Sequence, residues 1–159
     1  MGVADDAPAA ERLRGFVDGS LRRMLDGGAA GWHGQLMARE MVEPTACFDN
    51  LVEDTLRPMA DQLAGIVRDI GGADVPEAVV RSCSISVIGQ CCFYRHSREL
   101  VTRLFGDAIY AGAYIDTIAD HITQFSIAGI HAAVQRYRAD PEAESAVPAD
   151  APRAVEPII

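Results

Sequence analysis

Residues 76–96, PEAVVRSCSISVIGQCCFYRH, place apolar side chains on two sides of one predicted helix, and the fold turns on that stretch. At about 100° per residue, Val79, Val80, Cys83, Val87, Cys91 and Tyr94 gather on one side, while Ile85, Ile88, Gly89 and Cys92 gather on the opposite side. Such a helix has to be covered twice. Ser82, Ser86 and Gly89 line one flank with small side chains, which lets another helix come close. Pro76 suits a first helical turn, where its missing N–H has no partner to lose.

A second helix of the same kind is predicted from about Ala113 to Arg138. Tyr114, Ile115, Ile118, Ile122, Phe125, Gly129 and Ala133 form one stripe, and Ile127, Ile130 and Val134 point away from it. Between the two, Ser97 is placed to cap a short helix through Leu100, Val101, Leu104 and Phe105, stopped by Gly106. Upstream, Phe48, Leu51, Val52, Leu56, Met59, Leu63, Ile66, Val67 and Ile70 make the longest stripe, closed by Gly71-Gly72. Pro58 inside it predicts a kink and one lost backbone hydrogen bond. A shorter helix over 31–42 carries Trp32, Leu36, Met37 and Met41, and Pro44 turns the chain at Glu43. Leu13, Phe16, Val17, Leu21 and Met24 form the first amphipathic helix, between Pro8 and Gly27-Gly28. Nothing reads as an alternating strand or a repeat. The expected fold is all-α, a bundle of about six helices over 10–139, with a flexible segment at 1–9 and a disordered acidic, proline-rich tail at 140–159.

Composition narrows the function. A length of 159 residues suits one core, and 49% hydrophobic with 23% charged residues is a globular balance. No apolar run reaches the roughly 18–20 residues that span a bilayer, and Met1–Asp6 lacks the basic and apolar parts of a signal peptide, so a cytoplasmic location without membrane attachment is expected. A net charge of −9, from 14 basic and 23 acidic side chains, repels a phosphate backbone, so direct nucleic-acid binding is not expected. All the basic residues are arginine, the bias of a GC-rich bacterial genome. Cys47, Cys83, Cys91 and Cys92 form no CxxC pair and read as reduced, mostly buried thiols.

Two long helices with surplus apolar faces point to a partner. If each subunit contributes both, two copies form a four-helix interface about a two-fold axis, through Ile85, Ile88, Gly89, Cys92, Ile127, Ile130 and Val134. The alternative is a monomeric bundle built around its longest helix.

Four stretches in order, Leu36-Met-Ala-Arg-Glu-Met-Val-Glu-Pro-Thr45, the stripe through Arg57-Pro58, Ser86-Val-Ile-Gly-Gln-Cys91 and Ile118-Ala-Asp-His-Ile-Thr-Gln-Phe-Ser126, resemble the C-terminal domain of TetR-family transcriptional regulators of the CecR type, over about residues 10–136. The resemblance implies dimerisation through the last two long helices and an enclosed pocket for a small-molecule effector. It also implies a separate N-terminal helix-turn-helix of about fifty residues, for which positions 1–8 leave no room. In such a repressor, effector binding changes the spacing of two reading heads and operator affinity falls.

Within that plan, Met37, Met41, Phe48, Val52 and Met59 are candidate pocket residues, because thioethers and an aromatic ring adapt to varied apolar ligands. Cys83, Val87, Tyr94, His121, Ile122 and Phe125 are candidates to face the same space, with Tyr94 and His121 supplying polar contacts. Simple core packing explains any one of them equally well. Cys92, His96 and Glu99 have a helical spacing compatible with metal ligation, and Cys91 beside Arg95 raises the idea of an activated thiol; a buried thiol near surface polar groups is the simpler reading, and no metal is expected. Arg39 and Glu43 are spaced for an i,i+4 ion pair, and Asp116, Asp120 and Gln124 read as an exposed polar stripe. No phosphate cradle, GxSxG or HExxH occurs, so neither an enzyme nor a cofactor is expected. The expected function is effector-sensing and dimerisation in a transcriptional regulator. The rivals are a structural or protein-binding helical module and a metal- or redox-responsive sensor.

Overall fold

A computed structural model of the chain describes residues 6–25, 39, 40, 43, 45, 48–72 and 74–140, and every element among them is helical. Helix α1 (Ala9–Leu25) begins directly after Pro8, whose carbonyl accepts the N–H groups of Glu11 at 2.9 Å and Arg12 at 3.0 Å. Glu11 in its first turn and Arg22 and Arg23 in its last complement the helix dipole.

The long stripe from Phe48 folds as α2 (Phe48–Leu51), a π-helical turn (Val52–Leu56) and α3 (Arg57–Gly71). Both junctions keep helical dihedrals, with Leu51 at φ −62°, ψ −42° and Arg57 at φ −62°, ψ −51°. The disturbance predicted at Pro58 therefore lies just ahead of it. Arg57 N–H donates to the Val52 carbonyl, five residues back. Pro58 has no N–H to donate and its ring crowds the carbonyl four residues earlier, so widening the preceding turn relieves that contact.

Helix α4 (Glu77–His96) follows, with Pro76 one position earlier than predicted, at the N-cap, where its carbonyl accepts Val80 N–H at 3.0 Å. Helix α5 (Arg98–Phe105) starts from Ser97, whose hydroxyl makes no capping bond. A 3-10 turn (Asp107–Tyr110) leads into α6 (Gly112–Ala139). The helix expected over 31–42, Cys47, and the terminal segments 1–5 and 141–159 lie outside the described residues.

Polar contacts set the direction of each helix. Arg14 meets Asp120 at 2.7 Å and Arg22 meets Asp116 at 2.6 Å, so α1 and α6 are antiparallel. Arg68 and Glu77, 2.7 Å apart, close the α3–α4 hairpin. Gln90 on α4 donates to the Ser126 hydroxyl on α6 at 3.3 Å. The core between them is aliphatic: Leu13, Val17 and Leu21 of α1, Leu63, Ile66 and Val67 of α3, Val79, Val80 and Val87 of α4, and Ile118, Ile122 and Ile130 of α6. Of the buried hydroxyls, those of Ser84 and Thr123 donate to the carbonyls of Val80 and Ala119 one turn back.

The two ends of the bundle differ. At the end where α3 stops and α6 finishes, packing is tight: a Cβ on Gly71 would sit 2.7 Å from a methyl of Val75 and 3.1 Å from one of Val134. Gly72 terminates α3 at φ 100°, ψ 167°, a region closed to L side chains. Gly72→Ala is expected to lower stability by about 1–3 kcal/mol, read from thermal or urea unfolding. At the other end, Met24 and Leu25 of α1, Met59 of α3 and Tyr94 of α4 pack against the core yet stay only half-buried.

Candidate functional site

That looser end gathers the best-placed candidates for ligand contact. Met59 comes to it from the start of α3 and is half-buried; Phe48 and Val52, on α2 and the π turn just upstream, are half-buried as well. Tyr94 arrives from the last turns of α4. Its carbonyl accepts the Tyr110 hydroxyl at 2.9 Å, and the Arg98 guanidinium lies 4.6 Å from the centre of the Tyr110 ring. Burial, then the neighbouring Tyr114 and Cys91, push the Tyr94 phenol above its ordinary range; burial does the same to Tyr110 against the opposing charge of Arg98. Both therefore stay protonated at neutral pH, with the Tyr110 O–H engaged on the Tyr94 carbonyl.

Val87 and Ile122 are buried in the main core. Cys83 is half-buried about three turns along α4 from Tyr94, away from this end. Met37 and Met41 lie outside the described residues.

Of the residues expected on the outward face of α4, Ile85 is 64% exposed and Gly89 is exposed, whereas Cys92 is half-buried and Ile88 is half-buried against the core. On α6 the two faces exchange. Ile130 and Val134, expected outward, are buried against Gly71, and Ile127 is half-buried. His121 and Phe125, expected to face ligand, lie outward beside Tyr114, with the His121 and Phe125 rings 6.1 Å apart. The cause is a drift of the core stripe. Buried positions run 118, 122, 126, 130 and 134, and each step of four residues turns about 40° around the axis, so the inward face rotates as the neighbour changes from α1 to the α3–α4 turn.

Sequence reasoning missed three features. The Glu40 carboxylate is buried and accepts both the backbone N–H of Thr45 (2.9 Å) and its hydroxyl, five residues further along the chain. The acid five residues before Thr45 across a proline was the available signal. Asp116, Asp120 and Gln124 are exposed as the spacing suggests, but the two carboxylates also anchor Arg14 and Arg22, a pairing that spacing did not show. The expected Arg39–Glu43 ion pair is absent; instead Glu43 N–H donates to the Arg39 carbonyl. Arg95 is the third, and its position on the inward stripe of α4 was readable from the i+4 step after Cys91.

Burial pushes the Cys91 thiol up to about 12, with Cys92 adding to the shift, and Cys92 is raised by burial as well. Arg95 does not activate either. Cys91 in the native chain is expected to resist alkylation at pH 8 and to react at a free-thiol rate only after denaturation, as peptide mapping would show. Because the folded value lies above the ordinary 9.0, this thiol supports the fold fully below pH 9, and that support fades as the pH climbs toward 12. Among the described residues no three His, Cys, Asp or Glu side chains are placed to hold a metal, Cys92, His96 and Glu99 included. No helix among them is long and apolar enough to cross a membrane.

Residues 9–130 match the family described as the C-terminal domain of the HTH-type transcriptional dual regulator CecR. The chain belongs to that family. It is thus the C-terminal domain of a TetR-type regulator, a regulatory rather than catalytic family. Among curated proteins no match is found. In this CecR-type domain the matched region takes in α1 through most of α6, so both the looser bundle end and the outward α4–α6 face belong to the family's shared part.

Proposed function

We propose that the chain senses a small apolar or amphipathic effector in the cytoplasm and pairs with a second copy of itself through α4 and α6. The observation that carries this reading is the outward face of those two helices: Ile85, Tyr114 and Phe125 stand exposed on elements whose opposite sides are fully used in the core. Isolated apolar residues are normal on a surface, but several large ones exposed on two neighbouring helices fit a self-complementary interface. On α6 that surface is Tyr114, His121 and Phe125, rather than the Ile130 and Val134 that spacing alone suggested.

Effector contact is assigned to Phe48, Val52, Met59 and Tyr94 at the looser end, with Met37 and Met41 as further candidates. DNA contact belongs to a helix-turn-helix unit outside the matched residues, in keeping with a net charge of −9 here. Ion pairs tie α1 to its neighbours, Arg12 to Asp69 on α3 and Arg14 and Arg22 to Asp120 and Asp116 on α6. A ligand that reorders the looser end is thereby linked to α1, and any difference in its affinity for two arrangements shifts their populations.

Native mass spectrometry tests both parts in one spectrum. The expected result is a dimer that retains an apolar adduct. A bare monomer at micromolar concentration would remove the pairing reading, and a dimer that takes up no apolar compound would favour a purely structural module.

A further inference from the structure

On α4 the buried stripe Val80, Ser84, Val87 and Cys91 continues, one turn on, into Arg95. The arginine is half-buried, and its Nε is shut off from solvent with no hydrogen-bond partner. Arg12, Arg14, Arg22, Arg57, Arg68 and Arg103 each face a carboxylate, and among the described residues Arg23, Arg39, Arg81, Arg98, Arg136 and Arg138 have no ion pair; Arg95 differs from these in having its Nε buried without a hydrogen-bond partner. In a chain with 23 acidic side chains, the guanidinium on the inward stripe is left without any among the described residues. A buried donor left unpaired is disfavoured, and a partly buried charge without a counter-charge more so.

The location gives this orphan a use. Arg95 follows Tyr94 in sequence, at the looser end where Met24, Leu25 and Met59 are half-buried. Guanidinium groups grip carboxylates and phosphates side-on, through Nε and one terminal nitrogen together, and the unpaired Nε is half of that fork. We infer that Arg95 recognises the anionic head of an amphipathic effector, a carboxylate or a phosphate monoester, whose apolar tail lies along the half-buried side chains of the same end. The inference rests on the effector-sensing reading above and names the chemical class of the effector.

The test is calorimetric titration of the full chain with dodecanoate, dodecyl phosphate and dodecan-1-ol, each kept below its aggregation threshold. The three share a tail and differ in the head. At least one anion is expected to bind about tenfold or more tightly than the alcohol. In Arg95→Met that preference should vanish while alcohol affinity stays as it was, and the better anion names the head. The melting temperature of Arg95→Met should be no lower than that of the parent, because an apolar side chain of similar length removes an unpaired donor. Equal affinity of the parent for all three overturns the inference and leaves the effector-sensing reading standing. A preference that survives Arg95→Met also overturns it, by placing the head elsewhere. If none of the three binds, the inference falls together with the apolar-effector reading. The comparison on the parent chain decides the matter even if the variant fails to fold.

Discussion

A Phe125→Arg chain is expected to sediment as a monomer and to melt within about 2 °C of the parent. Phe125 is 63% exposed and contributes little to its own subunit's core, so the fold has small reason to respond. Assembly has a large one. Under two-fold symmetry the same position appears twice in one interface, so the substitution removes two aromatic side chains and brings two like charges into one apolar surface. Central aromatic anchors are worth about 2 kcal/mol or more, which corresponds to a rise of roughly thirtyfold or greater in the dimer dissociation constant. Sedimentation across a concentration series reads the association and circular dichroism reads the melt. A dimer of unchanged affinity would move the pairing surface away from Tyr114, His121 and Phe125.

Three residues earlier the expectation inverts. Ile122 is 1% exposed at the middle of α6, and Ile122→Ala should destabilise the fold by about 2–5 kcal/mol, through lost apolar burial and the cavity left behind. For a chain of this length that is a fall of about 5–15 °C in melting temperature. The fraction still folded should pair as the parent does. Urea unfolding measures the loss, and a value below about 1 kcal/mol would mean that the site collapses around the smaller side chain instead of holding a void. Together the two substitutions separate the inward and outward faces of one helix.

Much of this architecture was legible from side-chain spacing. Pro8, Gly71-Gly72 and Gly106 punctuate the chain where helices begin and end, because their backbone limits act locally and need no tertiary context. The apolar period likewise separates Leu63, Ile66 and Val67 from their exposed neighbours. What spacing could not settle was which of two apolar faces on α6 belongs to the core. A straight 100° helical wheel keeps Phe125 and Gly129 in line with Ile122, whereas the folded helix follows its neighbours and takes Ser126 and Ile130 instead. Local sequence does not record the crossing of a distant helix. Arg95 escaped for a related reason. A charged residue is read by default as solvated, so the i+4 step from Cys91 was passed over, and it is the burial of its Nε that shows the arginine unpaired within the fold.

The π turn ahead of Pro58 gives the chain a place where its length is adjustable. That turn holds one residue more than regular α-helical pairing requires, so deleting a residue within Val52–Leu56 lets it close to ordinary α-helical pairing, with the helix continuous and the flanking segments still facing nearly the same way. Leu63, Ile66 and Val67 keep their register, and Phe48 and Leu51 ahead of the turn keep their facing. Within a lineage, a one-residue gap at this point would thus pass without disturbing the core or the face presented ahead of it, a form of variation that substitution counts alone would overlook.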